Sequence, residues 1–123
     1  KLAQKFWPGS LTILAVPSET AVQLGFKFSK IALRIPGSEF LVSLVKSMGI
    51  PLSATSANLH GQATSSNSSE IISSFDGKVD YILLTSANLQ DNTHSTIVDI
   101  SSGSVDILRQ GSISKEDIEN LFN

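Results

Sequence analysis

The interpretation of the fold depends on one stretch, Ile31-Ala-Leu-Arg-Ile-Pro-Gly-Ser-Glu-Phe-Leu-Val-Ser-Leu-Val-Lys-Ser-Met-Gly-Ile-Pro-Leu-Ser-Ala-Thr55. Its first five residues are mostly apolar and stop at Pro36-Gly37, which is typical of a strand that ends in a turn. Apolar residues then recur at three- and four-residue spacing over residues 40–48, which predicts a helix capped by Ser38 and ended by Gly49. A second short strand is predicted over residues 51–55. Strand, helix and strand with short links predict a parallel βαβ unit and an α/β fold.

The flanking sequence adds further elements of the same kind. Apolar, β-branched runs predict four more strands, over residues 11–16, 79–84, 95–100 and 105–108. The last two are joined by Ser101-Ser-Gly-Ser104, which favours a tight hairpin. Short helices are predicted over residues 18–25 and 67–75, and from Ser114 onward.

Composition narrows the function classes. The 123 residues are 41% hydrophobic and 16% charged, which is typical of a globular domain. There is no cysteine, so neither a disulfide framework nor a thiolate metal site can form. No apolar run is long enough for a membrane span, and we expect a cytoplasmic protein with no membrane partner. The net charge is −2 and the pI is about 5.6, so an RNA contact would need a local basic patch.

The segment over residues 51–64 is the first candidate site. Ser56 and Asn58 lie two residues apart, so on an extended backbone they share a face, and Gly61 gives the next loop conformational freedom. Such hydroxyl and amide groups can bind phosphates or a carboxylate. The alternative is a turn whose side chains bond only to their own backbone. Thr-Ser-Ala-Asn-Leu recurs at residues 85–89, inside a long polar loop, but only the first copy is soon followed by glycine, so we place the site there.

The only two arginines, Arg34 and Arg109, each follow an apolar strand. Ligands of parallel sheets bind beyond the carboxyl ends of strands, and arginine suits carboxylates and phosphates. Ser95 could bind a ligand beside them. The alternatives are arginines exposed to solvent and a serine that only caps its strand. His60 and His94 lack partners at metal-ligand spacing, and the Walker A and Gly-x-Gly-x-x-Gly patterns are absent. The residues alone therefore predict a small-ligand α/β domain, with an anionic ligand as one option.

Five blocks follow one another along the chain, namely Phe6-Trp-Pro-Gly-Ser-Leu-Thr-Ile-Leu14, Ile31-Ala-Leu-Arg-Ile-Pro36, Pro51-Leu-Ser-Ala-Thr-Ser-Ala-Asn-Leu-His-Gly61, Ser95-Thr-Ile-Val-Asp99 and Ile107-Leu-Arg-Gln-Gly111. In this order they resemble the segments Trp-Pro-Gly-Pro-Leu-Thr, Ala-Val-Arg, Ser-Ala-Asn-Leu-Ser-Gly, Ser-Thr-Val-Val-Asp and Leu-Arg-Pro-Gly of one family. That family is the YrdC/Sua5 group, the threonylcarbamoyl-AMP synthases. The resemblance implies a single YrdC-like domain over residues 1–123, with a twisted mixed sheet and helices packed on it.

The resemblance also implies an activity. L-threonine, bicarbonate and ATP, the last with Mg²⁺ and no prosthetic group, would give threonylcarbamoyl-AMP and pyrophosphate. The product would serve the threonylcarbamoyladenosine modification of tRNA through downstream transfer proteins, and tRNA or double-stranded RNA is a further candidate partner. By position, the threonine site would comprise Arg34, Ala54 and Ser95. The ATP site would comprise Lys30, Ser56, Asn58, Thr64 and Arg109. No side chain is assigned to acid–base catalysis and none to a metal.

The chain departs from the family pattern in ways that bear on activity. The segment Thr-x-Thr-x-Tyr-Gly-Leu and a Lys-x-Arg motif, which lie in the family's amino-terminal part, are not found, so we expect an amino-terminally incomplete domain that is inactive alone. Ser10 and Gln110 replace prolines, and His94 replaces glutamate. Two other functions stay open: a non-catalytic module that binds nucleotide or RNA, and the carbamoyl-adenylate-forming domain of a hydrogenase-maturation carbamoyltransferase.

Overall fold

The computed structural model describes residues 1–23, 25–62, 65, 67–84 and 94–122. The chain divides into two compact units, one formed by residues 1–51 together with 93–123, and one formed by residues 52–92. We call them the sheet unit and the loop unit. Among the described residues, no helix is long and apolar enough to cross a bilayer.

A four-stranded mixed sheet forms the sheet unit. Its strands are β1 (Leu11–Ala15), β2 (Ile31–Leu33), β3 (Thr96–Asp99) and β4 (Asp106–Arg109), in the order β2-β1-β3-β4. β1 runs parallel to β3, whereas β2 is antiparallel to β1 and β4 is antiparallel to β3. The predicted α/β class with a mixed sheet and the predicted β3–β4 hairpin are therefore confirmed.

The sheet packs one face against the two terminal helices. These are α1 (Leu2–Phe6) and α5 (Lys115–Glu119), the second capped by Ser114, whose Oγ accepts from the Asp117 amide. The buried core consists of Leu2, Leu11, Ile13, Val98 and Ile118. Alternate residues of a strand face the same side, so Leu11 and Ile13 of β1 both point into this core.

Three further helices follow local capping signals. They are α2 (Glu19–Gln23), α3 (Glu39–Met48) and α4 (Ser68–Phe75). Ser38 caps α3 by accepting from the Leu41 amide at 3.4 Å, and Gly49 ends it at φ 68°. That left-handed conformation suits glycine, so the predicted helix is confirmed at both ends.

The predicted parallel βαβ unit over residues 31–55 is wrong. β2 pairs antiparallel with β1, and residues 51–55 form no strand. In that segment only Leu52 is a large apolar residue and all five residues are exposed, so a strand there would have no apolar face to bury. The strand predicted over residues 79–84 is also absent. Tyr81 there is 87% exposed, and the described part of the loop unit holds no strand that could pair with it.

Candidate functional site

The face of the sheet opposite the core carries polar and charged side chains. Leu14 of β1 lies opposite both Ala32 of β2 and Asp99 of β3, which fixes the residues that share this face. Alternation along the strands then adds Lys30, Arg34, Thr12 and Ser95. The β3–β4 register adds Arg109, opposite Ile97, and Asp106, opposite Asp99. We call this surface the polar face, and its polar side chains are Thr12, Lys30, Arg34, Ser95, Asp99, Asp106 and Arg109.

Strand direction separates these residues into two groups. Because β2 and β4 run against β1 and β3, the carboxyl ends of β2 and β4 lie beside the amino ends of β1 and β3. Arg34 and Arg109 are therefore at the same edge, but it is the amino edge of the parallel pair. The prediction placed both arginines at the carboxyl ends of strands in a parallel sheet. They share an edge instead because β2 and β4 are each antiparallel to their neighbour in the central parallel pair.

Ser95 is the centre of this amino edge. Its Oγ lies 2.9 Å from Thr12 Oγ1 and accepts from Arg109 Nη2 at 3.2 Å. Arg109 also donates from Nη2 and Nε to the Ser95 carbonyl, at 2.9 and 3.2 Å. Ser95 is buried, whereas Thr12 is half-buried and Arg109 is exposed. The predicted residues Ser95 and Arg109 are thus in direct contact, together with a threonine that the sequence reasoning missed.

The next residue, Thr96, anchors this edge from the core side. Its hydroxyl donates to the Ile113 carbonyl at 2.8 Å and accepts from the amides of Gly111 and Ile113, at 2.8 and 3.1 Å. A Cβ atom on Gly111 would lie 1.9 Å from the His94 carbonyl oxygen, so only glycine fits this close approach of two backbones. The start of β3 is therefore held firmly against the chain that follows β4.

Arg34 also lies at the amino edge, where its Nε donates to the Gly9 carbonyl at 2.9 Å. The Gly9 amide in turn donates to the Ile35 carbonyl at 2.9 Å, so the chain before β1 and the end of β2 are tied together. In the described part of the chain, neither Arg34 nor Arg109 forms an ion pair with a carboxylate. Two guanidinium groups without carboxylate partners favour an anionic ligand at this edge.

Lys30 lies at the opposite end of the polar face. Its Nζ forms an ion pair of 2.5 Å with Asp99 Oδ2, across the end of β1, and the Ser101 amide donates to Asp99 Oδ1 at 2.8 Å. Hydrogen bonds from Lys30 and Ser101 lower the pKa of Asp99 to about 2. Lys30 and Arg34 are four residues apart, or about 13 Å along an extended strand, so they would contact different parts of a ligand.

The predicted residues of the first Thr-Ser-Ala-Asn-Leu copy belong to the loop unit. Ala54 and Ser56 are exposed and have no regular secondary structure. The Ser56 carbonyl accepts from the Asn58 amide at 3.0 Å, and Asn58 Nδ2 donates to the carbonyls of Leu59 and Gln62, at 3.1 and 2.9 Å. These bonds are those of a side chain that fixes its own turn.

Some predicted features lie outside the described residues. They are Thr64 of the candidate ATP site and the second Thr-Ser-Ala-Asn-Leu copy at residues 85–89, with most of its polar loop. Within the described ranges, no group of three or more His, Cys, Asp or Glu side chains is arranged to hold a metal ion.

Thr12 and Asp99 could not be recognised as residues of the candidate site from the sequence around them. Each belongs to the site because of a contact across the sheet, Thr12 with Ser95 and Asp99 with Lys30. In both pairs the partner is more than sixty residues away in sequence. The available signal was alternation, because Thr12 lies between the apolar residues Leu11 and Ile13 and therefore faces the side opposite to theirs.

Comparison with known proteins gives consistent results. The Sua5/YciO/YrdC family model, described as telomere recombination, matches residues 1–111. The chain is 28% identical to the threonylcarbamoyl-AMP synthases of Pyrococcus abyssi and Bacillus subtilis, over 98% of its own length but only 36% and 35% of theirs. It thus spans about a third of these curated relatives.

Solved structures agree with the sequence comparison. A doubly substituted variant of P. abyssi Sua5 superposes with a TM-score of 0.80 at 29% identity, covering 98% of this chain and 37% of that one. A second P. abyssi Sua5 structure, complexed with L-threonine, gives a TM-score of 0.79 at 29% identity, with coverages of 98% and 35%. The family-model match over residues 1–111, together with the shared fold, shows that this chain belongs to the Sua5/YciO/YrdC family.

Proposed function

We propose that this chain is part of an L-threonylcarbamoyladenylate synthase, which forms threonylcarbamoyl-AMP and pyrophosphate from L-threonine, bicarbonate and ATP. The observation that supports it most is the amino edge of the polar face. Two arginines without carboxylate partners lie there beside an oriented serine, in a chain whose curated relatives are threonylcarbamoyl-AMP synthases. The tRNA target, the transfer proteins and the compartment stay predictions.

Arg34 binds the threonine carboxylate in this proposal. Its Nε is already used by the Gly9 carbonyl, so the terminal nitrogens of an exposed side chain are available for an anion. A guanidinium held at one end in this way loses less conformational entropy when it binds. Ser95 contributes a hydroxyl to the same ligand, and the assignment of Ala54 to the threonine site stays a prediction from the resemblance.

ATP with its Mg²⁺ contacts Lys30 and Arg109 of the sheet unit, and the assignment of Ser56, Asn58 and Thr64 to the nucleotide stays a prediction from the resemblance. The reaction joins a carbamate oxygen of N-carboxythreonine to the α-phosphorus and releases pyrophosphate. It needs reactants held in line and positive charge near the phosphates more than it needs a proton carrier. Arginine and lysine side chains, hydroxyls and backbone amides supply such contacts.

The test is the affinity of the 123-residue chain for L-threonine and for Mg-ATP, measured by calorimetry. Arg34→Ala should raise the Kd for L-threonine at least about tenfold, because a charge-assisted hydrogen bond contributes about 1.5–3 kcal/mol. The Kd for Mg-ATP should change much less.

Lys115→Ala is a matched control. Lys115 is an exposed cation paired with Glu119 on α5, and its loss should leave both affinities unchanged. Absence of threonine binding by the unaltered chain, or equal losses for threonine and ATP in the Arg34 variant, would refute the assignment.

A further inference from the structure

The hydroxyl groups of Thr12 and Ser95 form a hydrogen-bonded pair in which the number of donated and accepted hydrogen bonds can be counted. The oxygens are 2.9 Å apart, and either hydroxyl could be the donor. Each hydroxyl carries one hydrogen and can accept two hydrogen bonds. Arg109 Nη2, which can only donate, occupies one acceptor position of Ser95 Oγ.

One hydrogen of this pair remains for a ligand. The bond between the two hydroxyls uses a single hydrogen, and within the described chain neither oxygen has another acceptor nearby. The guanidinium of Arg109, which contacts Ser95, and that of Arg34, which lies at the same edge, can only donate. The amino edge of the polar face therefore offers donors and matches an acceptor oxygen of the ligand.

Thr12 is held more rigidly than Ser95. It lies in β1, a central strand with β2 on one side and β3 on the other, and its branched Cβ restricts χ1. Ser95 precedes β3, and its unbranched side chain has more rotamers. The direction of the Ser95 hydroxyl is therefore set by its neighbours.

We propose that Thr12 is a positioning residue for the threonine site. Thr12 donates to Ser95 Oγ and, with Arg109, fills both acceptor positions of that oxygen. The Ser95 hydrogen is then left to donate to an acceptor oxygen of the bound amino acid. The inference rests on the proposed function, since the ligand is L-threonine.

The test is a double-mutant cycle read by L-threonine affinity. Thr12→Val keeps the shape of the side chain and removes the hydroxyl, and we expect a loss of affinity of about five- to tenfold. Thr12→Ser should restore most of it. In a Ser95→Ala background, Thr12→Val should have almost no further effect, because the hydroxyl that it orients is gone.

A second hydroxyl pair in the same unit provides the control. Ser102 Oγ and Ser104 Oγ lie 2.8 Å apart in the turn between β3 and β4, so Ser104→Ala removes the same type of bond away from the site and should not change threonine affinity. If Thr12→Val does not fold, Thr12→Ala compared with Thr12→Ser supplies the same contrast.

The outcomes separate this inference from the proposed function. No threonine binding by the unaltered chain overturns both. Threonine binding that Thr12→Val leaves unchanged overturns only the role of Thr12. An effect of Thr12→Val that persists at full size in the Ser95→Ala background also overturns it, since Thr12 would then act on the fold and not through Ser95.

Discussion

The hydroxyl of Thr96 is the contact on which the amino edge depends most, and Thr96→Val tests it. Thr96 is fully buried (0% exposed), and its hydroxyl makes one donated and two accepted hydrogen bonds. Valine has the same shape but leaves the Ile113 carbonyl and the amides of Gly111 and Ile113 without this partner. The substitution therefore removes bonds while it preserves packing.

The expected loss of stability can be estimated from these contacts. Three hydrogen bonds of about 1 kcal/mol net each give about 3 kcal/mol. The added methyl group of valine offsets this by about 0.8 kcal/mol. The free energy of unfolding should therefore fall by about 2 kcal/mol, which for a chain of this size lowers Tm by roughly 8 °C.

Urea unfolding followed by the fluorescence of Trp7 measures this directly. Trp7 is the single tryptophan and packs against the core of the sheet unit, so it reports that unit. The midpoint should fall with an unchanged m value. Thr20→Val is the control, because Thr20 is an exposed threonine on α2 of the same unit. If Thr96→Val and the control differ by less than about 0.5 kcal/mol, the reasoning from hydrogen-bond accounting is refuted.

Two further predictions concern the same unit. Gly111→Ala should destabilise the chain by about 1–3 kcal/mol in the same urea assay, because its Cβ would meet the His94 carbonyl oxygen at 1.9 Å. Gly37→Ala, whose Cβ would have ordinary contacts of 3.7 Å, should be tolerated, and equal effects of the two would contradict the predicted clash. Asp99 has its pKa lowered to about 2 in the folded chain, so its stabilising effect is complete above its ordinary pKa of 3.8 and is lost as the pH falls through 2. The stability difference between the unaltered chain and Asp99→Asn should thus be constant above about pH 5 and shrink between pH 4 and 2, and a difference independent of pH would exclude the ion pair as its source.

Local signals predicted the local structure well. The helix α3 was predicted at both ends because its cap at Ser38, its apolar stripe and Gly49 all lie within twelve residues. The β3–β4 hairpin was predicted because turn residues separate two apolar runs. Each of these features depends on contacts between near neighbours, which the order of residues displays directly.

Pairing between distant strands could not be predicted in the same way. The sequence shows that residues 31–35 favour a strand, but not that β2 lies antiparallel to β1. The prediction chose residues 51–55 as the parallel partner because they follow a helix closely. Those residues have almost no apolar surface to bury, and the choice of partner is decided by burial over the whole sheet.

In the candidate site, too, local features were predicted and contacts between distant residues were not. Arg34, Ser95 and Arg109 were selected by residue type and by their place beside apolar strands, and they lie at one edge. Thr12 and Asp99 were not selected, because their importance arises from cross-sheet contacts with Ser95 and Lys30. The chemical type of a side chain can be read from the sequence, whereas the residue that it contacts across the sheet is known only once the strand order is known.

Net charge is a poor guide to the ligand of this protein, and the sheet explains why. The chain carries −2 overall, which argues against a dedicated nucleic-acid surface. The polar face nevertheless holds three cations and two carboxylates, of which Asp99 pairs with Lys30, while Asp106, opposite Asp99 and away from the arginines, accepts from Ser104 Oγ. Because side chains alternate along an extended chain, Lys30 and Arg34, which flank β2, share this face, and the antiparallel β4 adds Arg109 at the same edge as Arg34. Among the described residues, the positive charge without a carboxylate partner therefore lies at the arginine edge, where a small anion such as an amino-acid carboxylate fits better than an extended polyanion does.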